Sequence, residues 1–394
     1  MRWIGWLLLC GCFHMAYVLR LSAGVLREPL AAEFALSASS FGLMSSMVFY
    51  AYTLLQIPSG VLADTRGVRS TVACGMALAG AGSLLFASAR SLPALFLGRA
   101  LMGVGVAGIF VCAMKFLAEN FERERFATLS GATSFVGNAG GIVAQAPLAM
   151  LVGALAWRGA FLSLGAVCLA LAVLSALFLP AGRSGGISST ELRAGVRTIL
   201  RTRGMYFTGL NYLANQSCFL ALSGTWGVSY LRAVHGIDQA PSYMTLMVVG
   251  VMAGAVAAGR ISDGARSRRR PLRLFAAAHA LCWGALPLSG SALSLSVLAG
   301  TLFSLGFFAG ALVLPWSMAK EMNPPAFTGV AIALLNTAAF LAVAVLTSLM
   351  GVVLDAAAGL SVEAAWRAVL LLPFGVSILG LWGAFASPET FPGA

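Results

Sequence analysis

Apolar residues run along this chain in blocks longer than a soluble helix needs, and short polar turns separate them. At about 20 residues per bilayer crossing, the pattern predicts twelve membrane helices. In the first half they cover residues 4–26, 40–62, 70–89, 93–117, 127–151 and 159–179. In the second they cover 206–230, 242–262, 272–290, 293–318, 330–354 and 366–386. An even number of crossings puts both ends on one side of the membrane. The run that begins Met1-Arg-Trp-Ile could pass for a secretory signal. It continues past the usual signal core without a small-x-small cleavage site, so we read it as the first membrane helix.

One of the turns recurs. Gly60-x-x-x-Asp64-x-x-Gly67-x-Arg69 ends one apolar block and opens the next. Gly67 stands where the chain must reverse at positive φ, with Arg66 and Arg69 beside it. About half the chain further on, Gly259-Arg-Ile-Ser-Asp263-Gly-Ala-Arg266 does the same, followed by Arg268, Arg269 and Arg270. Ala156-Trp157-Arg158 and Ala365-Trp366-Arg367 form a second echo. Two half-length copies with matching turns predict a transporter built from structural repeats.

Composition narrows the class. Of 394 residues, 59% are hydrophobic and 10% charged, with a mean hydropathy of +0.90. A soluble domain carries about 25% charged residues, so the chain is expected in the membrane. The net charge of +12 does not signal nucleic acid, because the arginines sit in turns of one side. Arg27, Arg90, Arg158, Arg232 and Arg367 alone fall on the other. That bias predicts cytoplasmic termini in a multi-pass protein of the bacterial inner membrane. All seven cysteines lie in apolar runs and read as packing residues rather than disulfides or metal ligands. Neither a zinc spacing nor a phosphate-binding GxxxxGK loop is present, so no cofactor or metal is expected. No nucleophile–base constellation suggests an enzyme.

The domain reading is an N-terminal six-helix half (1–180), a cytoplasmic linker (181–205) and a C-terminal six-helix half (206–394). In the linker, Ser188–Glu191 is a helix-start signal. Leu192, Val196, Ile199 and Leu200 then form an apolar stripe, with Arg193, Arg197 and Arg201 beside it. This predicts a basic amphipathic helix lying on the inner leaflet, serving as a tether.

The Asp64 turn and its second copy resemble the loop signature of the major facilitator superfamily (MFS). That resemblance implies an all-α membrane protein of twelve transmembrane helices in two pseudo-symmetric six-helix halves around one cavity; a monomer is the expected state. It also implies a gating role for Gly60, Asp64, Gly67, Arg69 and Asp263. Arg99, in Arg99-Ala-Leu-Met-Gly103, resembles a helix-4 signature of the same superfamily and is assigned to packing or gating.

Ionisable residues inside a membrane are costly and informative. Arg20, Arg99 and Lys115 are the basic residues within the predicted spans, and no acid lies at mid-depth. An interior with unbalanced positive charge suits an anionic substrate. Arg20, its distance to Ser37, and the stretch Tyr50–Gly60 with Gln56 resemble the anion:cation symporter and organophosphate antiporter branches. There the matching arginine holds a carboxylate or phosphate, a task suited to the guanidinium fork. Lys115 has two readings, a substrate ligand or an i,i+4 partner of Glu119. Gly137-Asn138-Ala-Gly140-Gly141 resembles part of a nitrate porter signature. Asn138 and Gln145, two turns apart on one face, together with Asn211 and Asn215, are expected to line the cavity.

The leading expectation is therefore uptake of a small organic anion, such as a carboxylate, sugar acid or amino acid, by alternating access. Protons are the candidate coupling ion, and His14 and His279 are the histidines inside spans, a residue type that titrates in the useful range. The alternative is efflux of a hydrophobic or siderophore-like compound, suggested by Phe110, Trp226 and Trp316. A non-transporting membrane sensor is the third reading.

Overall fold

The computed structural model describes residues 2–181 and 189–392, and every regular element among them is helical. Arg183 and Ser188 lie outside the described residues. The first half contains α1 (Arg2–Leu21), the short α2 (Arg27–Phe34), α3 (Ala38–Thr65), α4 (Gly67–Ala87), α5 (Leu92–Val106), α6 (Ile109–Asn120), α7 (Arg123–Val143) and α8 (Ala146–Phe178). The second contains α9 (Ser189–Arg201), α10 (Arg203–Ala221), α11 (Gly227–His235), α12 (Ala240–Gly264) and α13 (Arg269–Ser289). It closes with α14 (Leu295–Ala309), α15 (Val313–Met322), α16 (Thr328–Ala356) and α17 (Val362–Ala386). Two compact units result, one of Met1–Leu36 with Met44–Ile187, the other of Ser37–Leu43 with Ser188–Ala394.

Ten helical spans among the described residues are long and apolar enough to cross a bilayer. The two further spans expected from the sequence are present as α7 and α10–α11. Both are helical, but α7 is rich in Gly, Ser and Thr, and α10 carries Asn211, Asn215 and Gln216. The arrangement is consistent with twelve crossings of an MFS fold.

Within each unit, glycines bring helix backbones together. A Cβ on Gly75 of α4 would lie 2.5 Å from the Gly105 carbonyl oxygen of α5, and one on Gly82 would lie 2.8 Å from the Gly98 oxygen. In the second unit a Cβ on Gly254 of α12 would meet the Phe307 oxygen of α14 at 1.8 Å. Such close approach maximises packing and dispersion where no hydrophobic effect drives helices together.

The repeated turns share a backbone state. Gly67 has φ +83° and Arg266 has φ +48°, each three residues past its aspartate. Glycine adopts this region freely, whereas a side chain does so at a cost. In the second copy the loop is braced instead by Arg268. Its guanidinium donates to Asp263 at 2.7 Å and to Glu321 at 3.0 Å. Glu389, beyond α17, folds back to accept from the Ser267 hydroxyl and from the backbone N–H groups of Arg268 and Arg269. Partial burial pushes the Glu389 carboxyl up, but these donors, with those of Thr390 and Phe391, outweigh it and hold it at about 2.

Two expectations are corrected. The predicted helix over 127–151 breaks at Ala144–Gln145, and its tail runs on within α8 to a kink at Ala156 (φ +54°). Immediately after the kink the Trp157 indole donates to Glu33 at 2.9 Å, and Arg158 pairs with the same carboxylate. These contacts anchor the chain where it turns back. Second, Val196 and Ile199 of the α9 stripe face protein rather than lipid. Ile199 is buried in a core cluster with Met205, Tyr212 and Leu335, with Val196 packed against it. Arg193, Arg197, Leu200 and Arg201 remain on the exposed side.

Candidate functional site: a cation in an aromatic enclosure

Arg20 closes the last turn of α1 and is 4% exposed. Its Nε donates to the Ala16 carbonyl one turn back at 3.1 Å, which fixes the direction of the fork. Its Cζ lies 4.3 Å from the Tyr17 ring centre, 5.2 Å from that of Tyr52 and 5.9 Å from that of Phe13. The Tyr52 hydroxyl bonds to both the Arg20 and Gln56 side chains. Tyr52 and Gln56 are one turn apart on α3, so one helix face presents a ring and an amide to the cation. Ring faces stabilise a desolvated guanidinium by about 0.5–2 kcal/mol each without a negative charge. Three rings thus enclose the cation at the end of α1. Tyr17, Tyr52 and Phe13 are additions to the residues expected from sequence, and Tyr50 is half-buried on the same helix.

Arg99 has a different part. It is fully buried on α5, and its Nη1 donates to the Leu19 carbonyl at 3.1 Å and to Ser22 Oγ at 3.0 Å. Nη2 reaches the Ser45 carbonyl of α3 at 3.4 Å. One guanidinium thus fastens the end of α1 and the middle of α3 to α5, in keeping with a packing role.

Lys115 does not stand free for a substrate. Its Nζ donates to Asp64 Oδ1 at 2.6 Å and to the Ala63 carbonyl at 2.9 Å, while Glu119 lies at 3.9 Å. The aspartate of the repeated turn is its main partner, which ties the end of α3 to α6. Gly60 is open to added volume, and Arg69 is exposed. We expect Asp64→Asn and Lys115→Met each to slow transport about three- to tenfold at equal membrane insertion. The double variant should be little worse than either single, since coupling within one pair is of order 0.5–3 kcal/mol. Uptake per inserted molecule measures this. A purely KM-raising effect of Lys115→Met would instead mark a substrate ligand.

The expected amides separate into different roles. Asn138 is half-buried and donates to the Ser134 carbonyl at 2.8 Å. Gln145 is fully buried at the break between α7 and α8. The two therefore do not share one continuous helix face. Asn211 donates to the Gly380 carbonyl of α17 at 3.0 Å and accepts from Asn215 at 3.1 Å. This pair, expected from sequence to line the cavity, links α10 to α17. Trp226, expected in an aromatic lining, is fully buried, and its indole N–H is bonded to the Thr347 carbonyl at 3.0 Å. Phe110 packs on Phe13 at 4.9 Å, and half-buried Trp316 on Tyr212 at 5.9 Å.

The histidines are engaged as well. His279 is buried, and its Nε2 accepts from the Trp283 indole one turn on at 3.0 Å. Protonation at Nε2 would break that bond in a dry interior. His14 meets the Val136 carbonyl through Nδ1 at 3.0 Å, which requires a proton on that nitrogen.

The family model described as Major Facilitator Superfamily matches residues 8–347. The chain is 26% identical over 285 residues to the probable sulfoacetate transporter SauU of Cupriavidus necator, covering 68% of this chain and 66% of that protein. It is 32% identical to monocarboxylate transporter 11 of Mus musculus, covering 66% and 58% respectively. For the probable L-galactonate transporter of Escherichia coli the identity is 28%, covering 56% and 52%. The matches thus span about half to two thirds of these relatives' lengths. Among solved structures, the D-xylose-proton symporter superposes with a TM-score of 0.78 at 15% identity, covering 100% of this chain and 98% of that one. At that identity the likeness speaks for the fold alone. The chain is a multi-pass membrane protein and belongs to the major facilitator superfamily.

Proposed function

We propose that the chain is a secondary transporter that takes up a small organic anion by alternating access, with Arg20 as its anchor. The observation that carries this reading is a guanidinium buried at the end of α1 and enclosed by the rings of Phe13, Tyr17 and Tyr52. A guanidinium fork in such a site can take a substrate carboxylate through two parallel hydrogen bonds. The relatives named above, whose names concern sulfoacetate, monocarboxylates and L-galactonate, support the anionic class. The placement of Trp226 in the core removes part of the basis for an exporter of hydrophobic compounds.

The same geometry favours a singly charged substrate. Arg99 is spent on Leu19, Ser22 and Ser45, and Lys115 on Asp64. Arg20 and Arg99 are the buried arginines among the described residues, and none lies in the second unit. A second negative charge would enter a low-dielectric site without a dedicated cation, which is costly. Thermal unfolding of the purified protein against monocarboxylates, dicarboxylates and neutral sugars tests the assignment. A ligand at 100 times its Kd should stabilise by about 2.7 kcal/mol. We expect this from a monocarboxylate, with dicarboxylates at least tenfold weaker and no stabilisation of Arg20→Gln. Equal stabilisation of both proteins by a neutral sugar would overturn the anion reading. Dicarboxylate binding as tight as monocarboxylate binding would overturn only the single-charge part.

A further inference from the structure

A second cationic feature lies in the second unit, where α13 begins and α17 ends. Arg269 and Arg273, one turn apart on α13, both direct Nη2 at the Phe385 carbonyl, at 3.5 and 2.5 Å. That carbonyl is among the last of α17, which leave helix acceptors without partners. One arginine would satisfy it. Two like charges at i,i+4 repel, so a second guanidinium at the same oxygen needs another reason.

Both arginines retain unused donors. The Nε atoms of Arg269 and Arg273 are buried from water and have no hydrogen-bond partner among the described residues. The neighbouring acids are engaged elsewhere. Glu389 accepts from the backbone N–H groups of Arg268 and Arg269 and from Ser267, while Asp263 and Glu321 hold Arg268. No ion pair of Arg269 or Arg273 is present among the described residues.

The surroundings point to what covers this end. Leu274, Leu281 and Leu288 are exposed at seven-residue spacing along α13, as are Leu371, Ile378 and Phe385 along α17. In a membrane-spanning chain these stripes face acyl chains. Arg273 also stands over the Phe385 ring at 4.9 Å, where cation and apolar stripe meet.

We propose that Arg269 and Arg273 form a binding site for the phosphate of an anionic phospholipid whose acyl chains lie along α13 and α17. Guanidinium pairs recognise phosphate oxygens in a fixed geometry, and basic residues at a membrane surface select anionic lipids. The phosphate would take the Nη donors that the Phe385 carbonyl leaves unused and cancel the repulsion between the two cations.

The test is native mass spectrometry of the protein in mild detergent, titrated with phosphatidylglycerol or phosphatidylcholine. The wild type should retain phosphatidylglycerol at least tenfold more tightly. The preference should vanish in Arg269→Gln/Arg273→Gln and persist in the control Arg193→Gln/Arg197→Gln, which alters exposed arginines of α9. If the double variant folds poorly, Arg273→Gln alone should weaken phosphatidylglycerol about threefold or more. Equal retention of the two lipids by the wild type, or a preference that survives the double variant, would overturn the site. Inorganic phosphate that displaces phosphatidylglycerol and binds as tightly would assign the pair to a soluble anion and overturn the lipid assignment.

Discussion

If the chain carries the proposed anion, an Arg20→Gln protein should reach the membrane in normal amount and transport that anion at least a hundredfold more slowly. A hydrogen bond to a charged group contributes about 1.5–3 kcal/mol, and a carboxylate on a guanidinium fork would make two. Losing about 3 kcal/mol corresponds to roughly two powers of ten in an equilibrium constant. The fold should survive, because glutamine is easier to bury than a guanidinium and α1 keeps its own hydrogen bonds. Arg20→Lys is the sharper comparison. It preserves the charge among Tyr17, Tyr52 and Phe13 but presents an ammonium, a point donor without the fork. It should recover binding in part, with KM raised more than kcat is lowered. Uptake of a labelled monocarboxylate into proteoliposomes, normalised to inserted protein, measures both. Full activity of Arg20→Gln would remove the anchor from the mechanism.

Arg99→Met should act on a different observable. Burying a guanidinium without an acid costs several kcal/mol, and its three hydrogen bonds offset that cost. Removing it relieves the burial but takes a charged donor from the Leu19, Ser22 and Ser45 oxygens, of which the Leu19 carbonyl keeps the Ser22 hydroxyl at 2.8 Å. A hydrogen bond to a charged group contributes about 1.5–3 kcal/mol. We expect a net loss near 3 kcal/mol, seen as a fall of several degrees in the unfolding temperature. The surviving folded protein should keep an unchanged KM, because Arg99 fastens α1 and α3 to α5 rather than meeting the substrate. Arg99→Lys should recover part of the stability, since one ammonium can reach some of the three acceptors. A raised KM with unchanged stability would mean that Arg99 faces the anion after all.

These two arginines show what the chain discloses before it is folded. Both are conspicuous in sequence because a cation within an apolar block is rare, and the cost of burying it is a local property. Their division of labour is not local. It depends on Ser22, Ser45 and Tyr52, which reach them through tertiary contacts. The first turn was legible for the same reason as the arginines, since Gly67 three residues past Asp64 meets a backbone requirement, whereas the second copy holds Arg266 in that backbone state and was legible from Gly259 and Asp263. The partner of Lys115 was not legible, because Asp64 is distant in sequence while Glu119 sits at the helical spacing that draws the eye. Helical periodicity also misplaced Gln145, where the break at Ala144–Gln145 interrupts the face it was assumed to share with Asn138. In α9 the stripe containing Val196 and Ile199 was readable as amphipathic, but a stripe does not say whether lipid or protein will cover it. Packing against Met205, Tyr212 and Leu335 settles that.

The glycine contacts bear on how genetic data for this chain are to be interpreted. At Gly75, Gly82 and Gly254 even one added methyl group would collide with a facing backbone. Alanine at these positions therefore wedges two helices apart, whatever the substrate. Null alleles recovered there report on assembly of the bundle and carry no information about recognition. A selection for altered substrate range should accordingly leave these glycines unchanged and enrich changes around Arg20, at Phe13, Tyr17, Tyr52 and Gln56.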